Sequence, residues 1–149
     1  MRRGIGSFLV MLFRSLSKYR DVGLLLLRIL IGLSFLAHGL PKLTQGPEIW
    51  IKLGKSMQFV GVTSYPLFWG LMSSLSESVG GSLLLIGFFF RPACLFLVIN
   101  MCVATIMHFH TTPGGFYEKW FVASHAIELG SLFLSLLLIG PGKFSVDRE

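Results

Sequence analysis

The first long apolar segment of the chain is VGLLLLRILIGLSFLAHGL, residues 22–40, whose 19 residues include one arginine and one histidine. About 20 mostly apolar residues span the hydrocarbon core of a bilayer as a helix, so this stretch predicts a transmembrane helix. Similar stretches follow at 66–90, 92–109 and 120–139. Four such stretches in a chain of 149 residues indicate a polytopic membrane protein.

The composition supports this class. Apolar residues make up 53% of the chain, charged residues 13%, and the mean hydropathy is +0.73. These values exclude a disordered chain, a disulfide-stapled secreted domain and an ordinary cytosolic enzyme. The two cysteines, Cys94 and Cys102, lie eight residues apart on one predicted helix, about 12 Å along its axis, which is too far for a disulfide. Dithiol chemistry is therefore disfavoured.

The positive charges predict an orientation. The net charge is +6, but the basic residues lie at the edges of the apolar stretches, so we expect membrane lipid as a partner and no nucleic acid. Eight of them flank the side that carries both termini and four flank the other side. The positive-inside rule then places both termini in the cytoplasm. Lys42 and Arg91 are expected to be membrane-edge anchors.

Short connections between the spans predict an all-α fold, an antiparallel four-helix transmembrane bundle. We place the spans at about 22–42, 66–90, 92–110 and 119–140, within one domain covering 21–149. Residues 1–20 have apolar side chains at helical spacing and predict an amphipathic helix on the cytoplasmic leaflet. Residues 47–59 suit a short interfacial helix. A stripe of mostly small residues in the second span predicts close helix packing and comprises Gly70, Ser73, Ser74, Glu77, Gly80 and Gly81.

Ionisable side chains inside the spans are the candidate site, because they are costly in lipid and usually mark function. We take four of them as candidate catalytic residues: His38, Glu77, His125 and Glu128. By depth, the histidines gather toward the outer side, with the carboxylates beneath them. Arg28, Asn100 and His108 are supporting candidates, and Arg28 is the expected ion-pair partner of Glu77. His110 suits the membrane interface.

Imidazoles above carboxylates suit three kinds of chemistry: binding a quinone headgroup, relaying protons, or holding a transition metal. No single helix carries two histidines four residues apart, and the haem-attachment motif C-x-x-C-H is missing from the sequence. We therefore predict no bound metal or haem.

Three motifs resemble the DoxX family. The opening signature of the family is resembled by RILIG (28–32) together with FLAHGLPKL (35–43). Its second motif is resembled by ESVGG (77–81), followed by LLLIG (83–87) and Arg91. Its ending is resembled by GPGKFSVD (140–147). The resemblance covers roughly residues 24–147. The matching positions are Arg28, His38, Lys42, Glu77, Arg91 and Asp147, whereas His108, His110 and His125 lie outside the signature.

The resemblance implies four transmembrane helices in the bacterial cytoplasmic (inner) membrane. It also implies a link to quinone-dependent redox, since some members are similar to the membrane subunits of thiosulfate–quinone oxidoreductase. The first hypothesis is therefore a quinone-linked redox component that works with a partner electron donor, because the chain has no redox cofactor motif. The alternatives are a non-catalytic accessory or scaffold subunit of a larger membrane redox complex, and copper or other metal handling by the histidines.

Overall fold

The computed structural model describes residues 16–147, and the regular secondary structure in this range is helical. Its α-helices are α1 (Arg20–Thr44), α2 (Pro47–Gly54), α3 (Pro66–Ile86), α4 (Phe90–Thr111) and α5 (Phe116–Ile139). Short 3-10 segments cover Ser17–Tyr19 and Lys55–Val60. The all-α class is thus confirmed. The amphipathic helix predicted for residues 1–20 falls almost entirely outside the described residues.

The four long helices alternate in direction. The termini end of the bundle holds the start of α1, the α3–α4 turn and the segment that follows α5, and the loop end holds residues 45–65 and 112–115. Helix α3 is central, since it packs against α1, α2 and α4, while α5 packs mainly along α4. The helix pair α1 and α5 meets through the rings of Phe35 and Phe133, whose centroids are 4.9 Å apart.

Three of the helices are long and apolar enough to cross a membrane: the helical run Ser17–Thr44 that contains α1, together with α4 and α5. Helix α3 has 21 residues, but its middle is a series of serines and glycines around Glu77. Those small polar residues lower its hydropathy, and the most buried of them, Ser74, Ser78, Gly80 and Gly81, are covered by neighbouring helices.

Glycines set the distances between the helices, as the small-residue stripe predicts. A Cβ atom on Gly32 would lie 2.9 Å from the Gly81 carbonyl oxygen, and one on Gly39 would lie 2.8 Å from the Glu77 carbonyl carbon. At the loop end, Gly70 of α3 lies directly against the backbone of Trp50 in α2. The helix predicted within 47–59 is therefore present, and it is packed on α3.

The turn between α3 and α4 differs from its prediction. A span at 66–90 and a turn at Arg91 and Pro92 were expected, but α3 ends at Ile86 and α4 begins at Phe90. Gly87 adopts a left-handed conformation (φ 67°) and its N–H donates to the Leu83 carbonyl, which is a glycine-terminated helix end. Pro92 lies in the first turn of α4, where a missing N–H costs nothing. The phenylalanines between the two helices are as apolar as the helices themselves, so the hydropathy of the sequence does not reveal where α3 ends.

Candidate functional site

A polar network centred on Glu77 crosses the middle of the bundle. Glu77 is buried, with 6% of its surface exposed. The Lys42 ammonium lies 2.5 Å from its Oε2, and the Asn100 amide donates to its Oε1 at 3.2 Å. The Ser73 hydroxyl donates to the Asn100 side-chain oxygen at 2.8 Å. The Glu77 network therefore joins α1, α3 and α4 through one carboxylate.

Two further groups complete the surroundings of this network. The Trp50 indole donates to the Lys42 carbonyl at 3.0 Å, so α2 covers the network from the loop end. The Ser76 hydroxyl oxygen is buried and has no hydrogen-bond partner in the part of the chain that the structure describes. Ser76 lies three residues after Ser73, on the same side of α3. A buried hydroxyl without a hydrogen-bond partner is unusual in a folded protein.

The expected ion pair between Arg28 and Glu77 is wrong. Arg28 is 1% exposed, and its guanidinium donates to four backbone carbonyls at 2.7 to 3.1 Å. These carbonyls belong to Leu84, Leu85, Pro141 and Phe144. Arg28 therefore ties the end of α3 to the segment that follows α5.

The register of α1 against α3 explains the error. The contact of Gly39 with the Glu77–Ser78 peptide and that of Gly32 with Gly81 fix how the two antiparallel helices align. In this register Glu77 lies beside the Gly39–Lys42 turn of α1. Arg28 lies about three turns nearer the termini end. The depth in the membrane that we estimated from the sequence was too coarse to show that Arg28 and Glu77 lie several turns apart.

The segment after α5 is held at the termini end by further contacts. The Asp147 carboxylate accepts the Phe90 N–H at 2.8 Å, and the Asp147 N–H donates to the Gly87 carbonyl at 2.8 Å. The Lys143 N–H donates to the Asp21 carboxylate at 3.3 Å. Arg91 is exposed and donates to the Leu137 carbonyl at 2.7 Å, a position that suits its expected role at the membrane edge. The polar side chains at the termini end therefore hold backbone segments together.

The other candidate catalytic residues do not join the Glu77 network. The side chains of His38, His125 and Glu128 are exposed on the bundle surface. Within residues 16–147, the hydrogen bonds of Glu77 go to Lys42 and Asn100, and none reaches a histidine. His38 is the nearest of them along the chain, one helical turn before Lys42.

The remaining histidines lie at the loop end. His108 is half-buried, and His110 is exposed with its ring stacked on Phe59 at 5.2 Å. Within the described chain, no three His, Cys, Asp or Glu side chains lie close enough to hold a metal ion. Cys94 and Cys102 are free thiols.

Sequence reasoning missed Lys42 as the partner of Glu77, because a lysine beside a proline at the end of a span is normally an interfacial anchor. Its side chain instead turns back into the bundle and is one-third exposed. The signal that was available is the antiparallel register, since Gly32 and Gly39 are the residues of α1 that allow close approach to α3.

Comparison with known proteins places this architecture among bacterial membrane proteins. The DoxX family model matches residues 23–110. Inner membrane protein YqjF of Escherichia coli is 31% identical over 134 residues, which covers 89% of this chain and 95% of that protein. Uncharacterized membrane protein Rv3486 of Mycobacterium tuberculosis is 31% identical over 132 residues, covering 83% of this chain and 78% of its own length. No solved structure matches significantly.

Proposed function

The chain belongs to the DoxX family, and on that premise we propose that this inner-membrane protein is a quinone-linked redox component that works with a partner electron donor. The observation that carries the proposal is the buried carboxylate of Glu77, held between the Lys42 ammonium and the Asn100 amide. A carboxylate at this depth, with a cation and an amide beside it, suits the binding of a polar headgroup and the exchange of protons.

The proposal includes four membrane crossings with both termini in the cytoplasm. Helix α3 is the fourth crossing, because 21 residues span about 31 Å. The hydroxyls of Ser74 and Ser78 donate to carbonyls one turn earlier in α3, which lowers the cost of burying them in a membrane. The exposed side chains of α3 are apolar, as contact with lipid requires: Leu67, Phe68, Met72, Val79 and Ile86.

The Glu77 network offers hydrogen-bond donors to a quinone headgroup. Its two carbonyl oxygens need hydrogen-bond donors, and Lys42 and Asn100 supply them, while the unpartnered Ser76 hydroxyl is a third. Reduction of a quinone to a quinol at this site would take two electrons, which the partner protein delivers, and two protons, which must reach the site from the solvent through side chains of this protein. Glu77 would hold a proton for this reaction, and His38, exposed one turn from Lys42, would exchange protons with the loop end.

Quinone binding tests this proposal directly. We expect a short-chain ubiquinone or menaquinone analogue to raise the thermal unfolding temperature of the purified protein. Glu77→Gln should remove this shift. Glu118→Gln is the matched control, because the same chemical change falls on an exposed carboxylate in the first turn of α5, and it should keep the shift. No shift in the unmodified protein, or equal shifts in both variants, would overturn the proposal.

A second function, that of a non-catalytic scaffold in a larger membrane redox complex, is favoured by Arg28. This buried guanidinium binds backbone carbonyls and therefore has an architectural role. If the Glu77 network is architectural as well, Glu77→Gln should leave the redox activity of the assembled complex unchanged. A loss of activity with the complex still assembled favours the quinone site.

A further inference from the structure

Helix α5 carries an outward face with the spacing of a helix-pairing surface. Its members lie alternately three and four residues apart: Phe121, Ser124, Glu128, Ser131, Ser135 and Leu138. We call these six residues the outward face. Five are exposed and Ser124 is partly exposed. An alternation of three and four residues is the heptad pattern by which helices pack side by side.

The chemistry of the outward face is unsuited to lipid. Glu128 is an ionisable group in an apolar span, and it has no hydrogen-bond or ion-pair partner within residues 16–147. By contrast, the exposed face of α4 is apolar and includes Leu95, Phe96 and Ile99. A carboxyl group directed at acyl chains is costly, whereas the same group between helices can be hydrogen-bonded.

The serines give the outward face a shape that another helix can approach closely. The hydroxyls of Ser131 and Ser135 donate to the carbonyls of Ile127 and Ser131 at 2.8 Å, so both side chains lie flat against α5. Beside this face, a groove of about 370 Å³ runs between α4 and α5 and is lined by Ser131, Gly130 and Ala126. Small residues of this kind are typical of helix–helix contacts in membranes.

We propose that the outward face pairs with the same face of a second copy of this chain. Copies inserted in one orientation can pair by a two-fold axis along the membrane normal, which sets α5 parallel to the partner's α5. Such a pairing is self-complementary, because His125 lies one turn from Glu128. The imidazole of one copy donates to the carboxylate of the other, and the symmetric contact forms again across the axis.

Cysteine cross-linking in native membranes tests the pairing. In a background with Cys94→Ala and Cys102→Ala, we expect Ser131→Cys and Ser135→Cys to form a disulfide-linked dimer on mild oxidation. Serine and cysteine are similar in size, so the fold is preserved. Val122→Cys, exposed on α5 but turned well away from the centre of the outward face, and Leu30→Cys, 68% exposed on α1, are the controls and should give little dimer.

The outcomes separate three occupants of the outward face. Dimers from both serine positions and not from the controls support a second copy. Cross-links to a different protein would overturn the pairing of two copies and would show that another protein covers this face. The absence of cross-links, or equal yields at Leu30→Cys, overturns pairing altogether and leaves lipid on this face.

A second measurement isolates Glu128. In liposomes, energy transfer between labelled copies should show about tenfold weaker association for Glu128→Leu, about 1.4 kcal/mol, since interhelical hydrogen bonds in membranes contribute energies of this size. Glu128→Gln retains hydrogen-bonding groups and should associate more strongly than Glu128→Leu. Unchanged association in both variants would show that the carboxyl group has no part in the pairing.

Discussion

Arg28 shows how a full positive charge is accommodated inside an apolar bundle. Its planar fork of N–H groups binds four carbonyl oxygens on two segments. Leu84 and Leu85 lie in the last turn of α3, at the negative end of the helix dipole, where carbonyls can accept hydrogen bonds from outside the helix. The guanidinium is therefore compensated by backbone dipoles, and within the described chain no carboxylate bonds it.

Arg28→Lys should lower the free energy of unfolding by about 2–4 kcal/mol, because one ammonium cannot reach four carbonyls and leaves several without a partner. Equilibrium unfolding in mixed micelles, followed by circular dichroism, measures the change. Arg20→Lys is the matched control at the exposed start of α1 and should stay within about 0.5 kcal/mol of the unmodified protein. Equal effects of the two substitutions would contradict the role given to Arg28.

At the scale of the helices, close approach at glycines decides which side chains meet. Helix α2 lies on α3 because Gly54 and Gly70 each leave room for backbone of the other segment. This contact holds Trp50 against the Lys42 carbonyl and closes the Glu77 network at the loop end. The packing of α2 is therefore coupled to the candidate site.

Gly70→Ala should destabilise the protein and displace α2, since the added Cβ would overlap the backbone of Trp50. Gly23→Ala tests the same substitution in α1, where no atom lies within 4 Å of the added Cβ, and it should raise stability by about 0.5–1 kcal/mol. Thermal unfolding in detergent measures the change in stability of both variants, and Trp fluorescence reports the displacement of α2. A change in stability in the same direction for both variants would contradict the close packing of α2 on Gly70.

The long helices were predictable from sequence because hydropathy alone reports about 20 apolar residues in a row. The α3–α4 boundary was not, since a left-handed glycine ends a helix without changing its hydropathy. Glu77 was identifiable as a buried polar residue, but its partner was not. Lys42 and Arg28 lie on the same helix, and only the register against α3 decides between them.

For the whole molecule, the alternating directions of the long helices define two chemically different ends. The termini end is closed by Arg28, Asp21 and Asp147, which bind backbone groups. The loop end holds α2, with Trp50 over the Glu77 network, and the ring of His110 stacked on Phe59. The architecture therefore separates a structural end from the end proposed for chemistry.

If α3 crosses the membrane, positions 64 and 113 share one side and position 143 lies on the other. In a cysteine-free background, Ser64→Cys and Pro113→Cys should react with an impermeant maleimide in intact cells. Lys143→Cys should react only after permeabilisation, although the Lys143 side chain is 80% exposed. If α3 does not cross, the pattern changes, because Pro113→Cys becomes protected and Lys143→Cys becomes reactive.

Arg28 and two of the carbonyls that it binds lie far apart in the sequence. Pro141 and Phe144 follow Arg28 by 113 and 116 residues. During synthesis Arg28 is made long before these two carbonyls, so its guanidinium lacks half of its hydrogen-bond acceptors when α1 is made. The guanidinium can form all four of its hydrogen bonds only after the segment that follows α5 has been made, so the final packing of α1 depends on one of the last segments to be synthesised.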